Sequence, residues 1–417
     1  MRKRECALAI LIAILITQPY VLSRVLYVNA SSSTDDWPMF HHDPAHTGYT
    51  TSTAPTTTPE VIWASLKGGG SPVIADGYLA KTSAGTVECL NASNGNHLWT
   101  QRLPNIAGNA AIYNGYVYTS SGAFNVSTGE IMLNYTNNLG FTTPNIVESI
   151  IYIGSCIRGG VFALNATTGA NIWDFASDPV YSFPAVANGI VYFASGGNFY
   201  ALNASTGAKI WNYIGLSGHD SSSPAVANGH VYIGTTYGDN GKVVCLDALN
   251  GTEIWKYPLA TGMSSPAVAY GCVYIVSNSN VYSLNASTGS LIWNATGGGG
   301  QSPAVADGTV YVSCSYNIYA LNAFTGAKIW NYTFPTPDNY ISTSPAIANG
   351  VIYVDAGYSL YAFGTPTPTP SPTLTPLPSP TIPEFPNQTV GTLLIVSLLL
   401  ATSVVAIVKR AKIKNAQ

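Results

Sequence analysis

Short apolar runs alternate with tight polar turns along most of this chain, and one order of run and turn recurs. Residues 223–257 show it. Pro-Ala-Val-Ala (224–227) predicts a short buried strand, and Asn228-Gly229 is a two-residue hairpin signal. His230-Val-Tyr-Ile-Gly alternates in and out as a half-buried strand does. After a variable loop (235–241), residues 242–246 predict a third strand, Asp247-Ala-Leu-Asn-Gly251 a turn, and Glu253-Ile-Trp-Lys-Tyr a fourth strand. Equivalent units start near Ser71, Gly108, Thr143, Phe183, Ser265 and Ser302, and a truncated one at Ser344. Four short antiparallel strands per unit, repeated every ~35–42 residues, predict the blades of a propeller.

The turn-to-ring spacing is constant. Gly95, Gly169, Gly207, Gly251, Gly289 and Gly326 precede Trp99, Trp173, Trp211, Trp255, Trp293 and Trp330 by four residues. After Gly129 the slot holds Leu133 instead. A large ring at a fixed place in the outer strand is expected to wedge between neighbouring blades, supplying roughly 1.5–3 kcal/mol of burial. The Leu133 seam should then be the weakest. The last unit stops before its tryptophan strand, whereas Glu60-Val-Ile-Trp63-Ala reads as such a strand without its predecessors. Pairing the two completes an eighth blade and removes open sheet edges. The expected fold is all-β: an eight-bladed propeller over residues 31–364, closed by an N-terminal strand.

The ends read differently. Residues 1–30 combine Arg-Lys-Arg, an apolar run and a small-residue cleavage site, the layout of a signal peptide, with an uncleaved anchor as the alternative. Residues 365–386 are a Pro/Thr-rich stalk favouring an extended polyproline helix. Residues 387–408 include about 20 uncharged residues, enough to span a bilayer, and 409–417 form a basic tail that stays cytoplasmic by the positive-inside rule. The propeller is thus expected on the extracellular face, anchored by a C-terminal helix. Ile382-Pro-Glu-Phe-Pro386, the helix and the tail together also resemble the sorting signals of archaeal surface proteins, in which case the helix is a processing signal.

Charge narrows the partners. Charged residues make up 8% of the chain, against about 25% in typical domains. The repeat region holds eight Lys/Arg against 17 Asp/Glu, a formal charge of −9. That lacks the basic footprint of nucleic-acid binding. Sequons at Asn91, Asn125, Asn134, Asn165, Asn203, Asn250, Asn285, Asn294 and Asn331, with Asn29 and Asn387 outside the repeats, are expected to carry some glycans. Several share one turn slot, where asparagine is also favoured because its side chain caps the turn. Five cysteines remain after the signal, without metal-ligand spacing; they read as buried small hydrophobes, with one long-range disulfide open.

The pattern Leu-Asn-Ala-Ser-Thr-Gly-x-x-Ile-Trp resembles the tryptophan-docking repeat of the quinoprotein-like propellers, among them PQQ-dependent alcohol dehydrogenases and the lipoprotein propeller of the bacterial outer-membrane assembly machinery. The lead-in Asp36-Trp-Pro-Met-Phe-His-His-Asp-Pro-Ala-His-Thr-Gly48 is similar to that of secreted members. For the dehydrogenases the resemblance implies a quinone held between a tryptophan and a disulfide of adjacent cysteines, with calcium. This chain has no Cys-Cys pair, and seven of its eight tryptophans fill docking slots, leaving Trp37. No cofactor is therefore expected. His41, His42, Asp43 and His46 are the densest set of metal-ligand types, but Pro44 keeps a helix from aligning them; they are expected to pack over the propeller. Tyr237-Gly-Asp239 lacks the acids of a calcium loop, and His219-Asp220-Ser221 lacks a nucleophile elbow. The expected function is a non-catalytic surface module binding a protein or glycan; a quinoprotein-like oxidoreductase and a surface-layer component are the alternatives.

Overall fold

The computed structural model describes residues 35–365 except 66–68, 84, 103–107, 136–141, 217–221, 236–240, 260, 261, 263, 336–339 and 342. The expected signal peptide, transmembrane helix and basic tail, and the stalk beyond Thr365, lie outside the described residues. Among the described residues no helix is long and apolar enough to cross a membrane.

Eight sheets follow one another along the chain, each with four antiparallel strands; the seventh gains a fifth, Tyr49–Thr50, which lies parallel to its innermost strand. They are blades 1 to 8, at residues 73–102, 111–134, 145–175, 185–214, 225–258, 267–296, 304–333 and 346–364. Blade 8 takes its outer strand from the other end: Glu60–Ser65 pairs antiparallel with Ser359–Gly364, Trp63 opposite Ala362. Closing the ring this way leaves no sheet of the circle with an unpaired terminal blade.

Each innermost strand is only three residues long, Ala-Val-Ala in blades 4 to 7, and almost wholly buried. Strands converge near the axis, and only small side chains fit there. The second and third strands are nearly continuous apolar runs, because both faces are covered by neighbouring blades. The outer strands alternate, as in the exposed-exposed-buried-exposed start of Lys209–Ile214. Each outer strand also carries a bulge just before its ring residue. In blade 1 the register steps from Cys89 opposite Trp99 to Leu90 opposite His97, leaving Leu98 unpaired. Such bulges bend the edge strand and discourage edge-to-edge pairing. They place Ile62, Leu98, Met132 and their equivalents 39–47% exposed around the rim.

Strand direction sorts the loops. Loops after the second and fourth strands of every blade gather on one face, the mouth face. Hairpins after the first strand and glycine turns after the third gather on the other, the turn face.

Candidate functional site

The seams between blades use two donors on one acceptor. Trp211 Nε1 donates to the Ala248 carbonyl of the next blade at 3.1 Å, and the Tyr192 hydroxyl donates to the same oxygen at 3.0 Å. Trp173 with Tyr152, Trp255 with Tyr232, Trp293 with Tyr274 and Trp63 with Tyr353 repeat this on Ala204, Ala286, Ala323 and Ala92. At the blade 7 seam, where the eighth blade has no glycine turn of its own, Trp330 and Tyr311 bond the Pro55 carbonyl of the lead-in. Trp99 bonds Val126 without a tyrosine partner, since Ala80 occupies that slot. At the blade 2 seam Tyr118 bonds Ala166, Leu133 replaces the indole, and the Tyr135 hydroxyl has no hydrogen-bond partner among the described residues. The tyrosines form a repeated signal that the sequence reading passed over; the Val-Tyr or Ile-Tyr after the hairpin of every blade but the first carries it.

The turn glycines have two reasons to be glycine. All seven have positive φ, between 70 and 74°. A Cβ on Gly251 would also lie 2.5 Å from the Trp211 ring, and Gly95, Gly129, Gly207, Gly289 and Gly326 are as tightly overlaid by an indole. Gly169 is not: its nearest neighbour is the Tyr135 ring at 3.4 Å.

The lead-in does not cap the propeller from outside; it threads the axis. Inner-strand N–H groups of Ile112, Val186, Val226, Val268 and Val305 donate to the carbonyls of Pro38, Pro44, Ala45, Thr47 and Gly48. Trp37 and Ile74 exchange a pair of bonds, and Asn349 donates to Asp35. Asn145 of blade 3 reaches Pro44 through its side-chain amide. Inner-strand donors facing the axis need acceptors, and this segment supplies them around the whole ring. The path needs tight bends, and His41, His42 and His46 adopt φ of 53, 76 and 57°. Burial pushes His41 down to about 3, with the neighbouring His46 adding to the shift, and His46 down to about 4. Asp43 accepts from the Thr47 N–H at 3.0 Å and hydroxyl at 2.5 Å, so it serves the bend. No three potential metal ligands converge among the described residues.

Above this plug lies a recess of about 460 Å³, the mouth of the axial channel. Phe40 forms part of its floor, edge-on to Phe183 at 4.7 Å. Its wall is a relay of side-chain oxygens, each accepting the backbone N–H of the equivalent residue one blade back. Ser223, Ser265, Ser302 and Ser344 accept from Phe183, Ser223, Ser265 and Ser302. Ser71 accepts from Ser344, Asn109 from Ser71, and Thr143 from Asn109. Phe183 has no side-chain oxygen for the remaining step.

Behind the Gly69–Gly70 wall the sequence reading missed a charged cluster, having recognised no acid/base group. Lys81, fully buried, lies 3.8 Å from Glu88 and 3.7 Å from Asp355 of blade 8. Asp355 also accepts from the Gly69 N–H at 2.6 Å. Burial raises the Asp355 carboxyl to about 7, against the opposing pull of Lys81. Removal from water disfavours the charged carboxylate more than Lys81 and the Gly69 N–H favour it. These residues come from opposite ends of the repeat array, so no spacing rule links them.

The remaining expected positions fall as follows. Asn91, Asn125, Asn165, Asn203 and Asn285 accept backbone N–H bonds through Oδ1, the atom opposite the one a glycan would use. Asn134, Asn250 and Asn294 are exposed, and Asn331 is half-buried. Cys89, Cys245, Cys272 and Cys314 are free thiols, Cys156 is half-buried, and burial pushes Cys89 and Cys245 up to about 12. Residues 219–221 and 237–239 lie outside the described residues. The quinone implied by the resemblance does not fit here. Its carboxylates meet no arginine or lysine among the described lining of the mouth, and Trp37 is buried against His42 rather than facing the recess.

A closed ring of eight blades, seven of its seams filled by tryptophan, defines a quinoprotein-like propeller. Residues 137–313 and 215–376 match the family described as outer membrane protein assembly factor BamB, and the chain belongs to that family. It is 30% identical over 268 residues to the outer membrane protein assembly factor BamB of Salmonella typhimurium, covering 57% of this chain and 60% of that protein. It is 26% identical over 254 residues to the tetrathionate hydrolase of Acidithiobacillus ferrooxidans, covering 55% of this chain and 48% of that one. The match thus spans about half to three-fifths of these bacterial relatives. Among solved structures, BamB from Moraxella catarrhalis superposes with a TM-score of 0.62 at 17% identity, over 74% of this chain and 98% of that one. The quinohemoprotein alcohol dehydrogenase of Comamonas testosteroni gives 0.66 at 13%, over 84% and 83%. At such identities these likenesses show the fold.

Proposed function

We propose that the chain is a non-catalytic binding module, a propeller displayed at the outer face of a membrane that engages a protein or glycan. The observation that supports this reading most is the filled axis. Residues 35–50 of the chain itself occupy the axis, and the recess above them is lined by hydroxyls and aromatic rings. Such a lining suits recognition by hydrogen bonding and stacking rather than proton transfer. Membership of a family described as an assembly factor supports a protein partner. In this reading residues 387–408 anchor the chain, 365–386 hold the propeller off the membrane, and glycans on the turn face aid solubility in a chain so poor in charge.

The test uses the full-length chain in native membranes. Cross-linking from the mouth face, through a photoreactive group at Tyr181, is expected to capture one recurrent protein or glycan partner. Incubation with the quinone and calcium is expected to give no bound chromophore and no dye-linked alcohol oxidation. Catalysis after that incubation would replace this reading with the oxidoreductase. Ordered two-dimensional arrays of the purified chain without any partner would favour the surface-layer alternative.

A further inference from the structure

The repeats are regular enough that departures stand out, and two of them meet. At the first hairpin of blades 4, 5 and 8 the left-handed position is Asn188, Asn228 and Asn349, a residue suited to it; in blade 6 it is Tyr270, with φ of 53°. A bulky ring in that region is strained. At the third position of the glycine turn most blades carry Ser or Thr; in blade 7 it is Phe324, 56% exposed. The two rings lie 5.3 Å apart across the seam between blades 6 and 7. Tyr49 of the lead-in stands edge-on to Tyr270 at 5.4 Å. The Tyr270 hydroxyl accepts the Gly308 N–H at 2.9 Å, and a Cβ on Gly308 would lie 3.6 Å from Phe324. The exposed Asp307, on the same hairpin as Gly308, is near enough for its charge to help raise the Tyr270 hydroxyl, after burial and Tyr49.

Phe324 also changes the surface chemistry of the turn. It occupies the Ser/Thr position of the sequon that Asn322 would otherwise begin. The equivalent asparagines of blades 1, 2, 3, 4 and 6 all begin sequons. A face studded with glycan acceptor sites therefore has one sector without one at its turn, and that sector carries the paired rings.

We propose that Tyr270 and Phe324, flanked by Asp307, form a carbohydrate-stacking site on the turn face that takes a neutral pyranose. The C–H face of a pyranose carries slight positive charge and lies flat on the negative face of an aromatic ring. The Asp307 carboxylate accepts from sugar hydroxyls at the edge, and anchoring of the Tyr270 hydroxyl by Gly308 pre-organises the ring. Strain at Tyr270 persists because the ring has a use there. This inference rests on the binding-module reading and locates the glycan surface on the face opposite the mouth.

Saturation-transfer NMR and calorimetry on the full-length chain in detergent, with cellohexaose, maltohexaose and mannohexaose as probes, test it. At least one hexasaccharide is expected to bind, with saturation strongest at the ring C–H protons. Phe324→Ser restores the repeat residue and is expected to weaken binding about tenfold, the loss of one stacked ring. Tyr270→Asn should weaken binding similarly while leaving Tm unchanged or higher, because asparagine suits the left-handed backbone; a purely structural Tyr270 would lower Tm instead. Leu249→Ser, at the equivalent exposed turn position of blade 5, should leave affinity unchanged. Loss of binding in Tyr181→Ala but not Phe324→Ser moves the site to the mouth and overturns the inference. So does failure of all three hexasaccharides to bind at millimolar concentration, or retention of only aromatic peptides; a captured protein partner would still stand in either case.

Discussion

The seam between blades 4 and 5 and the seam between blades 2 and 3 solve the same problem with unequal means. In the first, Trp211 and Tyr192 donate to one carbonyl and the indole lies flat on Gly251. In the second, Tyr118 alone donates, Leu133 fills less of the gap, and Tyr135 leans towards Gly169 with its hydroxyl unpartnered. The ring closes regardless. A circle of eight seams tolerates one poorer joint because both neighbours of that joint are held by the rest.

Exchange of the ring residue gives the largest expected contrast. Trp211→Ala should cost about 3–5 kcal/mol and Leu133→Ala about 2–3 kcal/mol, read from urea midpoints. Equal losses would remove the distinction between the seams.

Adding one methyl group to the turn glycines comes next. Gly251→Ala combines left-handed strain with collision against a wedged indole and should cost about 2–4 kcal/mol. Gly169→Ala meets strain alone, about 1–2 kcal/mol. Thermal midpoints of the two variants separate the contributions.

A third joint, where blade 8 meets blade 1, sharpens the comparison by pH. The Asp355 carboxyl is raised from 3.8 to about 7 in the fold. The folded chain keeps a proton there that the unfolded chain releases, so this contribution is full below 3.8 and lost as pH rises to about 7. The axial histidines act oppositely. His41 and His46 fall from 6.5 to about 3 and about 4, so their contribution is present above 6.5 and lost on acidification. Wild type should therefore lose midpoint relative to Asp355→Asn between pH 4 and 7, and run parallel to it above pH 8. Parallel curves throughout would mean Asp355 is ionised across the range.

The smallest effect concerns single hydroxyls. Tyr192→Phe removes a made hydrogen bond and should cost about 1 kcal/mol, whereas Tyr135→Phe removes an unpartnered buried hydroxyl and should be neutral or slightly stabilising. A loss at Tyr135 equal to that at Tyr192 would show that Tyr135 bonds in solution.

Much of the architecture was legible along the chain. Asn-Gly hairpins, glycine turns and period-two runs are local signals, so blade number and strand order followed from short-range chemistry. Even closure showed, because Glu60-Val-Ile-Trp63-Ala kept the form of an outer strand after losing the other three. The mouth, its hydroxyl relay and the charged cluster did not show. Ser71 and Ser344 are ordinary loop residues until the ring brings them together, and Lys81 and Asp355 look like two isolated charges.

The amino-acid order alone decided what each blade is, since a blade is built from contacts a few residues apart. Tertiary structure alone decided what the blades enclose. The path of residues 35–50 through the axis, the pairing of Lys81 with Asp355 and the meeting of Tyr270 with Phe324 depend on contacts between separate blades. Those contacts come into being only when the circle closes, because closure, and no local preference, sets the distances between one blade and another.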